Sequence, residues 1–133
     1  MKKAFILLLA IVMVSCSTKK SYLPATDGLN AGLEFIGACL KGDFEKADFY
    51  MLQDEENKKL LSEAKEKFFS LTKEQKRQLA EASLQKINME NISTTEMIIH
   101  YNNSYNNNGS KIKVVQKDNI WLVDFKYKFD PNL

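Results

Sequence analysis

Apolar and polar positions follow two different periods along this chain. Asp27 stands ahead of Leu29, Leu33, Ile36 and Leu40, three and four residues apart. That spacing predicts an amphipathic helix capped by the Asp27 carboxylate, with Phe35 and Cys39 widening its apolar face. Gly42 stops this helix, and Asp43 caps a short second one through Phe44, Ala47 and Tyr50. Asp54-Glu55-Glu56 opens a third, since acidic side chains favour the positive end of the helix dipole. Its stripe is Leu60, Leu61, Ala64, Phe68 and Leu71, with the pairs Glu55–Lys59 and Glu63–Lys67 on its wet side. Thr72 and Gln75 form a capping box for a fourth helix through Leu79 toward Leu84. Beyond Leu84 the period becomes two. Ile87 and Met89 alternate with polar residues, as do Met97, Ile99 and Tyr101, then Ile112 and Val114, then Trp121, Val123, Phe125, Tyr127 and Phe129. Four strands with short connections predict an antiparallel meander. Helices segregated before strands mean an α+β fold, with the N-terminal helices packed on one face of a curved four-stranded sheet. The opposite face, carrying Glu96, His100, Lys111, Lys113, Lys126 and Lys128, reads as solvated.

The first 26 residues follow neither period. Met1-Lys2-Lys3 is a short positive segment, and Ala4 to Val14 is an unbroken apolar run. The run suits the core of a secretory signal and is shorter than the roughly 20 apolar residues of a membrane span. It ends in Met13-Val14-Ser15-Cys16-Ser17. This resembles the bacterial lipoprotein signal, in which a small residue precedes an invariant Cys; Met13 stands where that signal usually has Leu. The resemblance implies cleavage after Ser15 and a Cys16 that becomes the N-terminus, carrying a diacylglyceryl thioether and usually an N-acyl chain. Each buried methylene contributes about 0.8 kcal/mol, so two or three chains anchor the protein durably. Ser17, followed by Lys19 and Lys20 rather than acidic residues, implies by the same resemblance an outer-membrane address facing the periplasm. Residues 16–26, with Pro24 and no apolar period, read as the lipidated Cys and a linker. Residues 27–133 read as one domain.

Composition narrows the partners. The chain has 133 residues, with 19 Lys and Arg against 17 Asp and Glu. Loss of the signal removes Lys2 and Lys3, after which cations and anions balance. Nucleic-acid binding needs a basic excess or patch, so none is expected. With Cys16 acylated, an intramolecular disulfide is excluded, and Cys39 reads as a small apolar residue on its helix.

Candidate chemistry is sparse. His100 is the sole imidazole and shares strand parity with Glu96, away from Met97, Ile99 and Tyr101. Asp124 interrupts an apolar strand, but its parity is that of Lys126 and Lys128, which predicts a solvated carboxylate. Asp48 and Tyr50 are weaker candidates near the first helical hairpin. The acidic runs around Asp43 and Asp54 lack the alternating pattern and central Gly of a calcium loop. No phosphate loop, dinucleotide fingerprint or paired Cys set occurs, so no catalytic residue, metal ligand or cofactor is expected. The Asn102 to Gly109 stretch reads as an elongated hairpin tip, with Asn108-Gly109 as its turn.

The order of elements resembles the nuclear-transport-factor-2-like (cystatin-like) superfamily, in particular its small bacterial lipoproteins. Two phrases carry the resemblance: Leu40-Lys41-Gly42-Asp43-Phe44-Glu45-Lys46-Ala47, and Asp118-Asn119-Ile120-Trp121-Leu122-Val123-Asp124. It spans about Asp27 to Phe129 and implies a curved sheet wrapped around the first helix, making a conical pocket. Leu33, Ile36, Phe68, Trp121, Phe125 and Tyr127 would line that cone as candidate ligand contacts; a packed core explains the same residues. The function expected is a non-enzymatic, lipid-anchored envelope domain, held at the membrane by its acyl chains, that binds a small apolar ligand or an envelope protein. Two alternatives stay open. One is a pocket enzyme of isomerase or hydrolase type using Asp124, His100 or Asp48. The other is an inhibitor or immunity-type protein using the hairpin and the strand edge.

Overall fold

A computed structural model describes residues 18–128. Cys16, the signal and Phe129 lie outside the described residues. Four helices come first: α1 (Gly28–Lys41), α2 (Phe44–Phe49), α3 (Glu55–Ser70) and α4 (Lys73–Glu81). Four strands follow: β1 (Leu84–Asn91), β2 (Glu96–Asn103), β3 (Gly109–Lys117) and β4 (Ile120–Asp124), and the described chain ends in a 3-10 turn at Phe125–Lys128. The strands pair antiparallel in chain order, β1-β2-β3-β4, so the fold is an α+β meander with helices on the sheet.

Each helix starts where a side chain satisfies its first backbone donors. The carboxylates of Asp27, Asp43 and Asp54 accept from the amides of Asn30, Lys46 and Asn57 at 2.7, 3.2 and 2.8 Å. Thr72 and Gln75 make the reciprocal capping box. Gly42 ends α1 in the left-handed region (φ 75°), where its missing Cβ leaves room for the Phe68 ring. Asp118 and Asn119 both have positive φ and make the two-residue turn between β3 and β4.

The core lies between α1 and the sheet. Ala31, Phe35 and Ile36 pack on Ile99, Ile112, Val114 and Val123, all buried. A Cβ at Gly32 would overlap the Ile99 Cδ1, so that glycine lets α1 approach the sheet. The segment Tyr50 to Leu52 runs beside β4 and exchanges backbone hydrogen bonds with Val123 at 2.8 Å on both sides. It covers an edge that would otherwise be open.

Four expectations are corrected. First, β4 ends at Asp124 instead of running to Phe129. The Lys126 amide donates to Asn57 Oδ1 on α3 at 2.8 Å, which pulls the chain out of the ladder and into the 3-10 turn. Phe125 stays buried, but Tyr127 (37% exposed) swings to the outer sheet face, 5.3 and 5.6 Å from the Lys111 and Lys113 amines. Second, Ile87 and Met89 are 42% and 48% exposed, because α1 packs on β2, β3 and β4 and leaves the inner face of β1 uncovered. A bulge at Lys86 (φ 52°) interrupts that edge strand, as exposed edges often require. Third, the outer face is partly sealed. Ile98 is buried there, between a Glu96–Lys113 pair at 3.3 Å and a His100–Glu90 pair at 3.1 Å. Fourth, the hairpin tip turns at Ser104 to Asn106, with Asn107 taking positive φ, while Gly109 already belongs to β3. Asn103 Oδ1 accepts from the Tyr105 and Asn106 amides at 3.0 and 3.2 Å, which nucleates the turn earlier.

Candidate apolar groove

The apolar stripe of α3 is longer than its neighbours can cover. Leu61 is buried, but Leu60, Ala64, Phe68 and Leu71 are only half-buried. With Cys39 of α1, Phe44 of α2, Leu79 of α4 and Phe125, they line a groove of about 300 Å³. That is the lower end of the size range for small-molecule sites. Glu63 and Lys67, one helical turn apart on α3, are its charged lining residues. On the other side of Cys39 and Leu79 lies a second cavity of about 290 Å³, lined by Phe35, Ile36, Leu40, Tyr101 and Ile112. Its polar contacts are Asn103, Asn106 and Ser110 near the hairpin tip. Burial pushes the Tyr101 hydroxyl up to about 12, with the nearby Cys39 thiol adding to the shift and a hydrogen bond to Ser110 opposing it. Tyr101 is thus neutral at physiological pH and adds no charge to the cavity wall.

The candidate contacts divide. Phe68 and Phe125 line the groove, and Ile36 lines the second cavity. Leu33 and Trp121 line neither; Trp121 presses on Gly28 at the opposite end of α1, together with Met97. Tyr127 is on the outer face. The other lining residues (Cys39, Phe44, Leu60, Ala64, Leu71, Leu79) read in the sequence only as apolar positions of their helices. Their signal is in the sequence: the stripe of α3 with its C-cap Leu71 carries five apolar positions, whereas α4 carries only Leu79 and Ala80.

The ionisable candidates sit elsewhere. His100 is on the outer sheet face beside Glu90. Asp48 is half-buried on α2, where Gln53 Nε2 reaches its carbonyl at 2.7 Å. Asp124 is not solvated as its parity predicts: its side chain is 13% exposed. It accepts from Asn57 Nδ2 at 3.1 Å and from Lys126 Nζ at 2.8 Å. Asn57, fully buried, also donates to Asp54 Oδ2 at 2.9 Å, and Lys126 Nζ reaches the same oxygen at 3.1 Å. The Asn57 amide, and then the Lys126 ammonium, hold the Asp54 carboxyl below its usual value against an opposing desolvation effect. The Lys126 ammonium is held above its ordinary value, chiefly by its hydrogen bond to Asp124. This network staples the start of α3 to the end of β4 and lines neither cavity. Parity missed it because the 3-10 turn folds Lys126 back over Asp124.

Among the described residues, no group of three His, Cys, Asp or Glu side chains converges on a metal position, and no helix is long and apolar enough to cross a membrane. No protein-family model matches the sequence, and neither does any curated protein.

Proposed function

We propose that this protein is a lipid-anchored domain of the bacterial cell envelope that binds a small apolar ligand and does not transform it. The single observation that carries the reading is the groove between α1, α3 and α4. Its wall is aliphatic and aromatic, and its charged lining groups, Glu63 and Lys67, are both exposed. Roughly eight methylenes leaving water there would contribute about 6 kcal/mol before the costs of association. The lipoprotein-like signal ending in Ser15-Cys16 supports the address, with Cys16 holding the domain at the outer membrane on its periplasmic side.

A fluorescent polyene fatty acid tests the ligand part, titrated against the full chain carrying Cys16→Ser. Saturable binding that Ala64→Trp weakens by about tenfold or more (1.4 kcal/mol) supports the reading, because the indole would occupy the groove. Equal binding by both proteins would place the probe elsewhere and remove the groove's role. Metabolic acyl labelling tests the address: Cys16→Ala should be blank and leave the membrane fraction.

A further inference from the structure

We propose that the anchored domain stands on the bilayer in one orientation, with the corner shared by the ends of α1 and α3 and the start of α2 facing the lipid. Phe69 enters the headgroup region there, and the groove opens onto the membrane. This deepens the lipid-anchored reading and rests on it.

The arm that follows the anchor sets the orientation. Between Lys20 and Ala25 this arm is docked along the domain. The Trp121 amide donates to the Ala25 carbonyl at 3.4 Å, and the Tyr50 hydroxyl donates to the Leu23 carbonyl at 2.8 Å. Tyr22 lies against Phe49 with ring centres 5.3 Å apart, and Lys20 Nζ is 3.7 Å from Asp43 Oδ2. Followed backwards from Asp27, the arm therefore tracks α2 from its last residue to its N-cap. Cys16 is four residues before Lys20, a reach of at most about 14 Å in extended chain. Acyl chains on Cys16 must enter the bilayer within that distance of the Lys20–Asp43 contact.

The same corner exposes an aromatic side chain. Phe44, next to Asp43, has its ring centre 5.7 Å from Phe68 and 6.1 Å from Phe69. Phe44 and Phe68 line the groove, whereas Phe69 is 55% exposed on the last turn of α3. Lys76 Nζ sits 5.3 Å from the Phe69 ring and donates to its carbonyl at 3.2 Å. Exposed Lys41, Lys67 and Lys73 occupy the adjoining helix ends, and Glu74 is engaged by Arg77 at 2.6 Å. An aromatic ring flanked by lysines suits an interface containing anionic phospholipid. One ring would bind a vesicle only weakly by itself. The short tether holds it near the surface at about millimolar effective concentration, so a weak contact suffices.

The test uses the acylated full chain in phosphatidylethanolamine–phosphatidylglycerol vesicles, with and without bromine on the acyl chains. Trp121 is the only tryptophan of the chain and lies at the far end of α1, a 14-residue helix about 21 Å long. It is the internal control. Brominated lipid should quench the added emission of Phe69→Trp at least threefold more than that of the parent protein. Equal, weak quenching in acylated protein that still floats with the vesicles would overturn the orientation and leave the anchored reading standing. An intact mass without acyl groups on Cys16 would overturn both.

Discussion

Replacing Asn57 by Ala tests whether the polar staple between α3 and β4 holds the fold. The amide side chain is fully buried and makes three hydrogen bonds: to Asp54 at 2.9 Å, to Asp124 at 3.1 Å, and from the Lys126 amide at 2.8 Å. Truncation orphans the Lys126 N–H and removes one of two donors from the Asp124 carboxylate. Each buried group left without its partner costs about 1–3 kcal/mol, so the loss should be about 3 kcal/mol. That is a large share of the 5–15 kcal/mol typical of a domain, and it corresponds to a fall in Tm of roughly 10 °C or more. Urea unfolding followed by far-UV circular dichroism measures it, with the slope of the transition unchanged. Asn57→Asp sharpens the test by placing a third carboxylate beside Asp54 and Asp124. It should cost more than Asn57→Ala at neutral pH, and the gap should close as the pH falls toward about 4. A loss below about 1 kcal/mol for Asn57→Ala would mean that water replaces the amide at no cost, and the staple would not be a structural determinant.

Two glycines of α1 should respond in opposite directions. Nothing lies within 4 Å of a Cβ at Gly37, so Gly37→Ala should gain about 0.5–1 kcal/mol from helix propensity, whereas Gly32→Ala meets the buried Ile99 and should lose about 1–3 kcal/mol. Thermal melts of both variants check the contrast. The folded Asp54 carboxyl titrates below its ordinary value of 3.8, so its contribution is complete above that pH and fades as the pH falls through the lower folded value. The stability difference between the parent and Asp54→Asn should therefore shrink as the pH falls through 3.8 and below; a constant difference refutes the capping and pairing account. Trp121 is half-buried against Gly28, so Trp121→Ala should cost about 2–3 kcal/mol, less than a fully buried indole.

Sequence legibility tracked the range of the interaction. The four helix starts were readable because a cap is a contact between residues three apart, as at Asp27, Asp43, Asp54 and Thr72. The meander was readable because Asp118-Asn119 turns the chain within two residues. Parity failed at Lys126, where the amide donates to a residue 69 positions away and ends the strand. At Ile87 and Met89 alternation gives the inner face, as the pairing of Met89 with Ile99 shows, but their exposure depends on how far α1 reaches across the sheet. Of the six side chains expected around a cone, Phe68 and Phe125 line the groove and Ile36 the second cavity, whereas Leu33, Trp121 and Tyr127 line neither, although periodicity alone makes them equivalent. A strand period assigns a side chain to a face but says nothing of which helix lies over that face.

The groove persists because α3 is held at its two ends more than along its length. At its N-terminus the staple ties it to the turn after β4, through Asn57, Asp124 and Lys126. At its C-terminus Phe68 sits over Gly42 and meets Phe44 edge-on. Between these points α3 packs against α2 and the Phe125–Lys128 turn. Leu61 is buried, whereas Leu60 and Ala64 of the same helix stay half-covered and line the groove. A helix held only by its apolar stripe would gain by settling until that stripe was covered, since each methylene removed from water contributes about 0.8 kcal/mol. Directional hydrogen bonds at one end and a ring against a glycine at the other resist that settling. Asp124, the carboxylate that looks most like a catalytic group in the sequence, thus belongs to the strut that fixes the start of α3 beside the groove.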